Sequence, residues 1–143
     1  MSGLSGFSEE EVARAIFEGT ATSLATGDIY VSLHTADEGN SPTGENEIDS
    51  DTTNYSRVAV PAADWDVEPE GPTEVTNNAE ISFGDPDSTW GDITHFCIWT
   101  EDEGVEGEEP YVATTELDTA QTGVDENTDE VRFDVGALTA NIE

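Results

Sequence analysis

The chain has almost no basic residues. Its 143 residues include 34 Asp and Glu but only three basic ones, so the formal net charge at pH 7 is −31. The three basic residues are all arginines, Arg14, Arg57 and Arg132, and there is no lysine. Three arginines cannot neutralise a track of phosphates, which excludes a nucleic-acid-binding protein. The same deficit excludes a protein held by charge on an anionic membrane surface.

Cysteine and long apolar runs are also scarce. The one cysteine, Cys97, excludes an intramolecular disulfide, and its apolar neighbours predict a small buried side chain. Cys97 and the two histidines do not supply the closely spaced ligands of a zinc site. No run approaches about 18 apolar residues, and no basic segment precedes an apolar one near the start. We therefore predict neither a membrane span nor a secretion signal.

The acidity itself predicts a protein of high-salt surroundings. At ordinary ionic strength this much like charge would weaken the compact state. At molar salt the screening length falls to about 3 Å and most of the repulsion vanishes. Disorder is the rival explanation of acidity. Because 34% of the residues are hydrophobic and the acids are spread along the chain, we expect a folded, halophilic protein.

One short helix is predicted near the start, over residues 7–20. Residues 8–11 match a capping box, and apolar residues then recur at helical spacing. So short a helix needs a partner surface to be stable. Its apolar face either covers the end of the β domain, which we favour, or docks on a neighbouring molecule. Its residues are therefore interface candidates: Val12, Ile16 and Phe17.

From residue 28 onward the pattern changes to β. About seven or eight short alternating runs are separated by turn signals, which is typical of an antiparallel sandwich. We predict a single domain over residues 1–143, mainly β, with a jelly-roll-like antiparallel β-sandwich over residues 28–143. Residues 93–99 are the most apolar run and predict the central strand. Residues 36–54 form a long polar loop, a candidate for function or contact.

The two histidines are the main candidates for chemistry. A hydrolase would need His34 or His95 beside a nucleophile and an acid, and the sequence contains no GxSxG turn. We predict that His34, at the end of a strand, makes hydrogen bonds in a turn. We predict that His95, which faces opposite to Phe96 within its strand, lies at a strand surface or a subunit contact, and we count it as an interface candidate.

Clustered carboxylates raise the question of calcium. Asp85, Asp87 and Asp92 lie close together in one turn, and oxygen clusters of this kind can hold Ca²⁺. The segment does not fit an EF-hand loop, which needs glycine at its sixth position and glutamate at its twelfth, where this chain has Phe96. Among 34 acids such clusters also arise by chance. We expect solvated surface carboxylates and no cofactor, with loose cation binding as the alternative.

Several segments, in order, resemble a known family. Residues 29–37 read IYVSLHTAD, and small virion proteins of tailed bacteriophages, labelled tail-fibre-like or minor structural proteins, typically read YVALHTADP. The resemblance extends over nearly the whole chain, through residues 15–17, 55–60, 78–83, 90–96 and 133–142. Glu38 stands where the family usually has proline, and acidic loops such as 101–109 are longer. These departures are typical of a haloarchaeal tailed virus or provirus. The resemblance implies a virion component and carries over no catalytic residue.

We therefore expect a virion structural protein rather than an enzyme. It would form a symmetric homo-oligomer on the particle, with other virion proteins, as a head decoration or turret or as a tail or fibre component. It would be assembled in the host cytoplasm of a high-salt organism. One alternative is a carbohydrate- or receptor-binding module for host glycans, which needs exposed Trp or Tyr in the loops. The other, less favoured, is a halophilic hydrolase.

Overall fold

The structure is a computed structural model that describes residues 3–4, 17, 29–38, 46–68, 73–99 and 111–142. Within these ranges the chain is mainly β and has one short 3₁₀ turn, Ala62–Asp64. The strands, in chain order, are β1 (Gly3–Leu4), β2 (Ile29–His34), β3 (Val58–Val60), β4 (Trp65–Glu68), β5 (Thr73–Asn77), β6 (Ile81–Ser82), β7 (Gly91–Trp99), β8 (Tyr111–Val124), β9 (Arg132–Phe133) and β10 (Thr139–Ile142).

These strands form three antiparallel sheets. The largest has five strands in the order β1-β8-β7-β2-β3, and β7 lies at its centre. This confirms the prediction that residues 93–99 form the central strand. A strand with neighbours on both sides is the most shielded from water, which explains why this run is the most apolar. A second sheet has the order β10-β5-β4, and the third pairs β6 with β9.

One hydrophobic cluster draws residues from all three sheets. On the large sheet, Val31 and Leu33 of β2 are fully buried, and their register partners on β7 are Ile98 and Phe96. Side chains from the smaller sheets complete the cluster: Trp65, Val75, Ala140, Ile81 and Phe133. Burying each large apolar side chain contributes about 1.5–3 kcal/mol, so this cluster is the main source of stability.

The five-stranded sheet is buried on its other face as well. Successive side chains of a strand alternate between faces, so Ser32 and His34 lie opposite Val31 and Leu33. Both are nonetheless 0% exposed. On β7 they are joined by Cys97, which is fully buried as predicted, and Trp99, which is 1% exposed. Two polar side chains and their neighbours on β7 are thus shielded from solvent on this face.

Asn77 fastens the second sheet to the chain that follows β9. Its side-chain Nδ2 donates to the carbonyls of Ala79 (2.8 Å) and Asp134 (3.0 Å). Its Oδ1 accepts from the backbone N–H of Leu138 at 2.9 Å. In the same turn Gly136 has a φ of +80°, a conformation that favours glycine. One amide therefore fixes the turn that leads into β10.

The prediction of a mainly β, antiparallel chain is confirmed, whereas the jelly-roll-like sandwich stays a prediction. The predicted helix over residues 7–20 lies outside the described residues except for Phe17, which is helical. Strand β5 was not predicted, because the turn residues of 68–73 run directly into it. In the described part of the chain, no helix has the length and apolarity to cross a bilayer.

Candidate functional site

Four buried side chains on the second face of the large sheet form a continuous hydrogen-bonded chain, here called the His34 relay. The indole Nε1 of Trp99 donates to Ser32 Oγ at 2.6 Å. Ser32 Oγ lies 2.6 Å from His34 Nε2, and His34 Nδ1 lies 2.8 Å from Glu38 Oε1. Three of the four residues come from adjacent strands, so the sheet register positions them. Glu38 comes from the chain beyond β2.

The order of these bonds determines where the protons lie. An indole N–H can only donate, so Ser32 Oγ accepts from Trp99. The Glu38 carboxylate can only accept, so the proton of a neutral His34 lies on Nδ1, and Nε2 accepts the Ser32 hydroxyl hydrogen. His34 therefore carries its single proton on Nδ1 and donates it to Glu38. Burial lowers the pKa of His34 from its ordinary value, and the hydrogen bond that it donates to Glu38 opposes this shift. Because the pKa is lowered, the imidazole is neutral at pH 7.

The relay holds a segment that we call the arm, residues 35–38 and 46–48. Glu38 Oε1 accepts a second hydrogen bond, from the backbone N–H of Asn46 at 2.8 Å. Within the arm, Thr35 N–H donates to the Asn46 carbonyl at 2.9 Å. Ile48 N–H donates to the Leu33 carbonyl at 3.2 Å. The arm is part of the loop predicted over residues 36–54, and the sheet end and the relay together hold it in place.

A second carboxylate of the arm, Glu47, fixes a charged cluster beside the relay. Arg57 donates to it through Nε (2.9 Å) and Nη2 (2.8 Å), a two-point contact. The Tyr55 hydroxyl also donates to Glu47, at 3.0 Å, and accepts from Leu33 N–H at 2.9 Å. Burial raises the pKa of Tyr55 well above its usual value. The guanidinium carbon of Arg57 lies 3.8 Å from the centroid of the Trp99 ring, which joins the cluster to the relay.

The connectivity Ser32–His34–Glu38 is that of a catalytic triad. A catalytic serine must present its Oγ to a substrate carbonyl. Here Ser32 and His34 are 0% exposed, and Ser32 Oγ already accepts the indole N–H of Trp99. In this conformation a substrate cannot reach the hydroxyl. What the arrangement does is attach the arm to the sheet.

The calcium candidates are engaged in local hydrogen bonds. Asp87 Oδ1 accepts from Asn54 N–H (3.1 Å) and Ser88 Oγ (2.8 Å). Asp92 Oδ1 accepts from Gly123 N–H of β8 at 2.7 Å, and the Asp85 carbonyl accepts from Asn54 Nδ2 at 2.8 Å. Within the described ranges no three His, Cys, Asp or Glu side chains are grouped so as to hold a metal ion. Loose cation binding therefore stays an untested prediction.

The interface candidates differ in how exposed they are. His95 is half-buried, its Nδ1 lies 2.8 Å from Thr94 Oγ1, and it is the register neighbour of His34 on one side and Glu116 on the other. Phe17 is 84% exposed. The other two candidates, Val12 and Ile16, lie outside the described residues.

All three tryptophans are buried. Trp65 is 8% exposed, Trp90 4% and Trp99 1%. Trp90 packs edge-on against Tyr55 with ring centroids 5.6 Å apart. None of the three rings is therefore available to stack on a sugar at the surface. Exposed aromatic rings were the main support for a glycan-binding module, and the tryptophans do not supply them.

The sequence predicted that His34 ends a strand and forms hydrogen bonds there, but it did not predict the relay. Ser32 and His34 are two residues apart on one strand, so their shared face could have been recognised. Glu38 is four residues further along. Trp99 lies on β7 and reaches Ser32 only through the register of β2 against β7. No local sequence pattern could therefore have predicted its place in the relay.

A comparison with protein families gives one match. The family model described as Podophage GP4 fiber I protein gp80 matches residues 3–141, almost the whole chain. No curated protein matches the chain. Two of the segments that carry the phage resemblance, residues 29–37 and 55–60, supply Ser32 and His34 of the relay and Tyr55 and Arg57 of the charged cluster.

Proposed function

We propose a structural role in the tail fibre of a virion for this chain, because it belongs to the podophage GP4 fiber I protein gp80 family. The family match is the observation that carries the proposal. Of the placements expected from the sequence, a head decoration or turret and a tail or fibre component, the family description favours the fibre. The chain then acts by shape and by contact with other virion proteins.

The candidate site supports a role without catalysis. Its triad-like arrangement, Ser32–His34–Glu38, is buried away from solvent. The hydrogen bonds of His34 and Glu38 hold the arm to the sheet. A sheet buried on both faces is a rigid support for surface contacts. Rigidity of this kind is useful in a load-bearing appendage.

The proposal includes a symmetric homo-oligomer. Repeated parts of a particle usually follow a closed symmetry, so a fibre component meets copies of itself. Large apolar side chains that remain exposed are available for such contacts: Phe17, Val67 and Val135. The half-buried His95 and the apolar face predicted over residues 7–20 stay candidates for the same interface.

A host that lives in high salt is the third part of the proposal. Most Asp and Glu of the described residues are exposed, and the side chain of Glu38, which binds His34, is the buried exception. The acids therefore coat the surface in contact with the solvent, where salt can screen them. The particle is then assembled in the cytoplasm of a halophilic cell.

The location can be tested on purified particles kept in molar salt. A gold-labelled antibody against the chain, viewed by electron microscopy, should mark the tail fibres, and mass spectrometry should find the chain in the particles. Label on the capsid would refute the fibre placement. Absence from particles, with the chain present in the infected-cell lysate, would overturn the structural role altogether.

A further inference from the structure

We infer that the His34 relay makes the attachment of the arm sensitive to protons: the arm is held while His34 is neutral and opens when the imidazole takes up a second proton. This device is a property of the fold itself. It does not rest on the proposed place of the chain in a virion.

The first support is the direction of the hydrogen bonds. A doubly protonated imidazole donates from both nitrogens, so Nε2 would turn from an acceptor into a donor toward Ser32 Oγ. Ser32 Oγ would then receive two N–H groups, one from His34 and one from Trp99. Its own hydroxyl hydrogen would lose its acceptor inside the protein, and a buried unpaired donor is costly. The closed relay therefore admits only the neutral imidazole.

The second support is the burial of the ring. His34 is 0% exposed, so a positive charge there would be cut off from water. Charged or titratable groups face it from every neighbouring element: Glu38 and Glu47 on the arm, Tyr55 and Arg57 before β3, His95 on β7 and Glu116 on β8. The two glutamates favour the charged ring and Arg57 disfavours it. Burial is the larger effect, and the pKa of His34 is lowered.

The third support is that the arm is the part able to open. The Glu38 side chain, only 2% exposed, lies against the ring on the side of the arm. Three hydrogen bonds hold the arm there: His34 Nδ1–H donates to Glu38, Asn46 N–H donates to Glu38, and Thr35 N–H donates to the Asn46 carbonyl. Beneath the ring, β2 is bonded to both of its sheet neighbours. Release of Glu38 and Asn46 hydrates the imidazolium, while Ile48 at the end of the arm, 5% exposed, stays packed in the hydrophobic core.

The pH range follows from proton linkage. With the arm open, His34 faces water and titrates near its ordinary pKa of about 6.5. With the arm closed, its pKa is lower. Between these two values the open state binds more protons, so opening becomes more favourable as the pH falls and does not change above about pH 6.5. The opening equilibrium constant rises by up to about tenfold per pH unit in this window.

Amide hydrogen exchange of the full chain in molar salt tests this. The protection factor of the Asn46 N–H, which donates to Glu38, should stay level above about pH 6.5 and then fall by up to about tenfold per pH unit. The amides of β7 should keep their protection over the same range. His34→Gln, which retains polar atoms but does not titrate here, should make the Asn46 profile level.

His95→Gln is the matched control, because it removes the neighbouring histidine and leaves the relay intact. Its Asn46 profile should follow that of the unaltered protein. A level profile in the unaltered protein would overturn the inference, as would a pH dependence abolished by His95→Gln. An equal loss of protection in β7 would show global unfolding rather than opening of the arm, and would overturn it too. Since these are exchange measurements on the free chain, they remain decisive even if the fibre role fails.

Discussion

Ser32 shows how much of the second face depends on one small hydroxyl. Like His34, it both accepts and donates within the relay, because it accepts the indole N–H of Trp99 and donates its own hydrogen to His34. Its position on β2 gives it no freedom to turn toward water, since it is 0% exposed. A single hydroxyl therefore links the histidine of β2 to the indole of β7.

Removal of this hydroxyl should lower the stability of the fold. Ser32→Ala removes the hydroxyl that accepts the Trp99 N–H and donates to His34 Nε2, and removing a partner from a buried polar group costs about 1–3 kcal/mol. We expect the free energy of unfolding in molar salt to fall by about 2–4 kcal/mol, measured by chemical denaturation. Ser56→Ala, at an exposed serine, is the control and should change it by less than about 0.5 kcal/mol. Equal effects of the two substitutions would show that the relay contributes nothing.

At the scale of the elements, local patterns predicted the strands better than the site. The alternation in residues 29–33 and the apolar run 93–99 correspond to β2 and to the central strand β7. Strand β5 was missed because its hydrogen bonds come from β4 and β10, and its short sequence follows turn residues directly. Strand β8 is the longest strand of the described residues, with 14 residues. Its register against β7 shifts in several places, and such irregularity weakens a period-two signal.

The site was beyond local reasoning for a related reason. The relay and the charged cluster join β2, the arm, the chain before β3, and β7, and Trp99 is 67 positions away from Ser32. No spacing rule connects such residues, because only the antiparallel register brings them together. The acid Glu38 was also hard to identify, since it is one of 34 acidic residues, and most of those in the described ranges are exposed.

Arg57 gives a test of how the arm is joined to the sheet. Its guanidinium binds Glu47 at two points and lies over Trp99, a geometry that an ammonium group cannot reproduce. Arg57→Lys should lower the free energy of unfolding by about 1–2 kcal/mol, measured by denaturation in molar salt. The same exchange at Arg132 is the matched control, because Arg132 is half exposed and its acidic partners are 3.9–4.0 Å away. If the two lysine variants are equally stable, the two-point contact does not hold the arm.

At the scale of the whole molecule, charge governs the conditions under which the fold exists. With a net charge of −31, the described carboxylates lie almost entirely at the surface, while Glu38 and Glu47 are the ones turned toward His34 and Arg57. A chain of this length has a radius of gyration of about 14 Å when folded. At 0.01 M salt the screening length is about 30 Å, so every surface charge repels every other. At molar salt it is about 3 Å, and only direct neighbours interact.

Removal of salt should therefore unfold the protein. Dialysis from molar salt to low millimolar salt should abolish the β signal in the far-ultraviolet circular dichroism spectrum, and return to molar salt should restore it. A triple variant, Asp118→Asn, Glu126→Gln and Asp129→Asn, removes three exposed charges for which the structure gives no hydrogen bond or ion pair. It should unfold at a lower salt concentration than the unaltered chain, because less repulsion remains to be screened. A spectrum unchanged at low salt would contradict the halophilic interpretation. An unfolding midpoint unmoved by the triple substitution would show that salt acts through something other than screening of the surface charge.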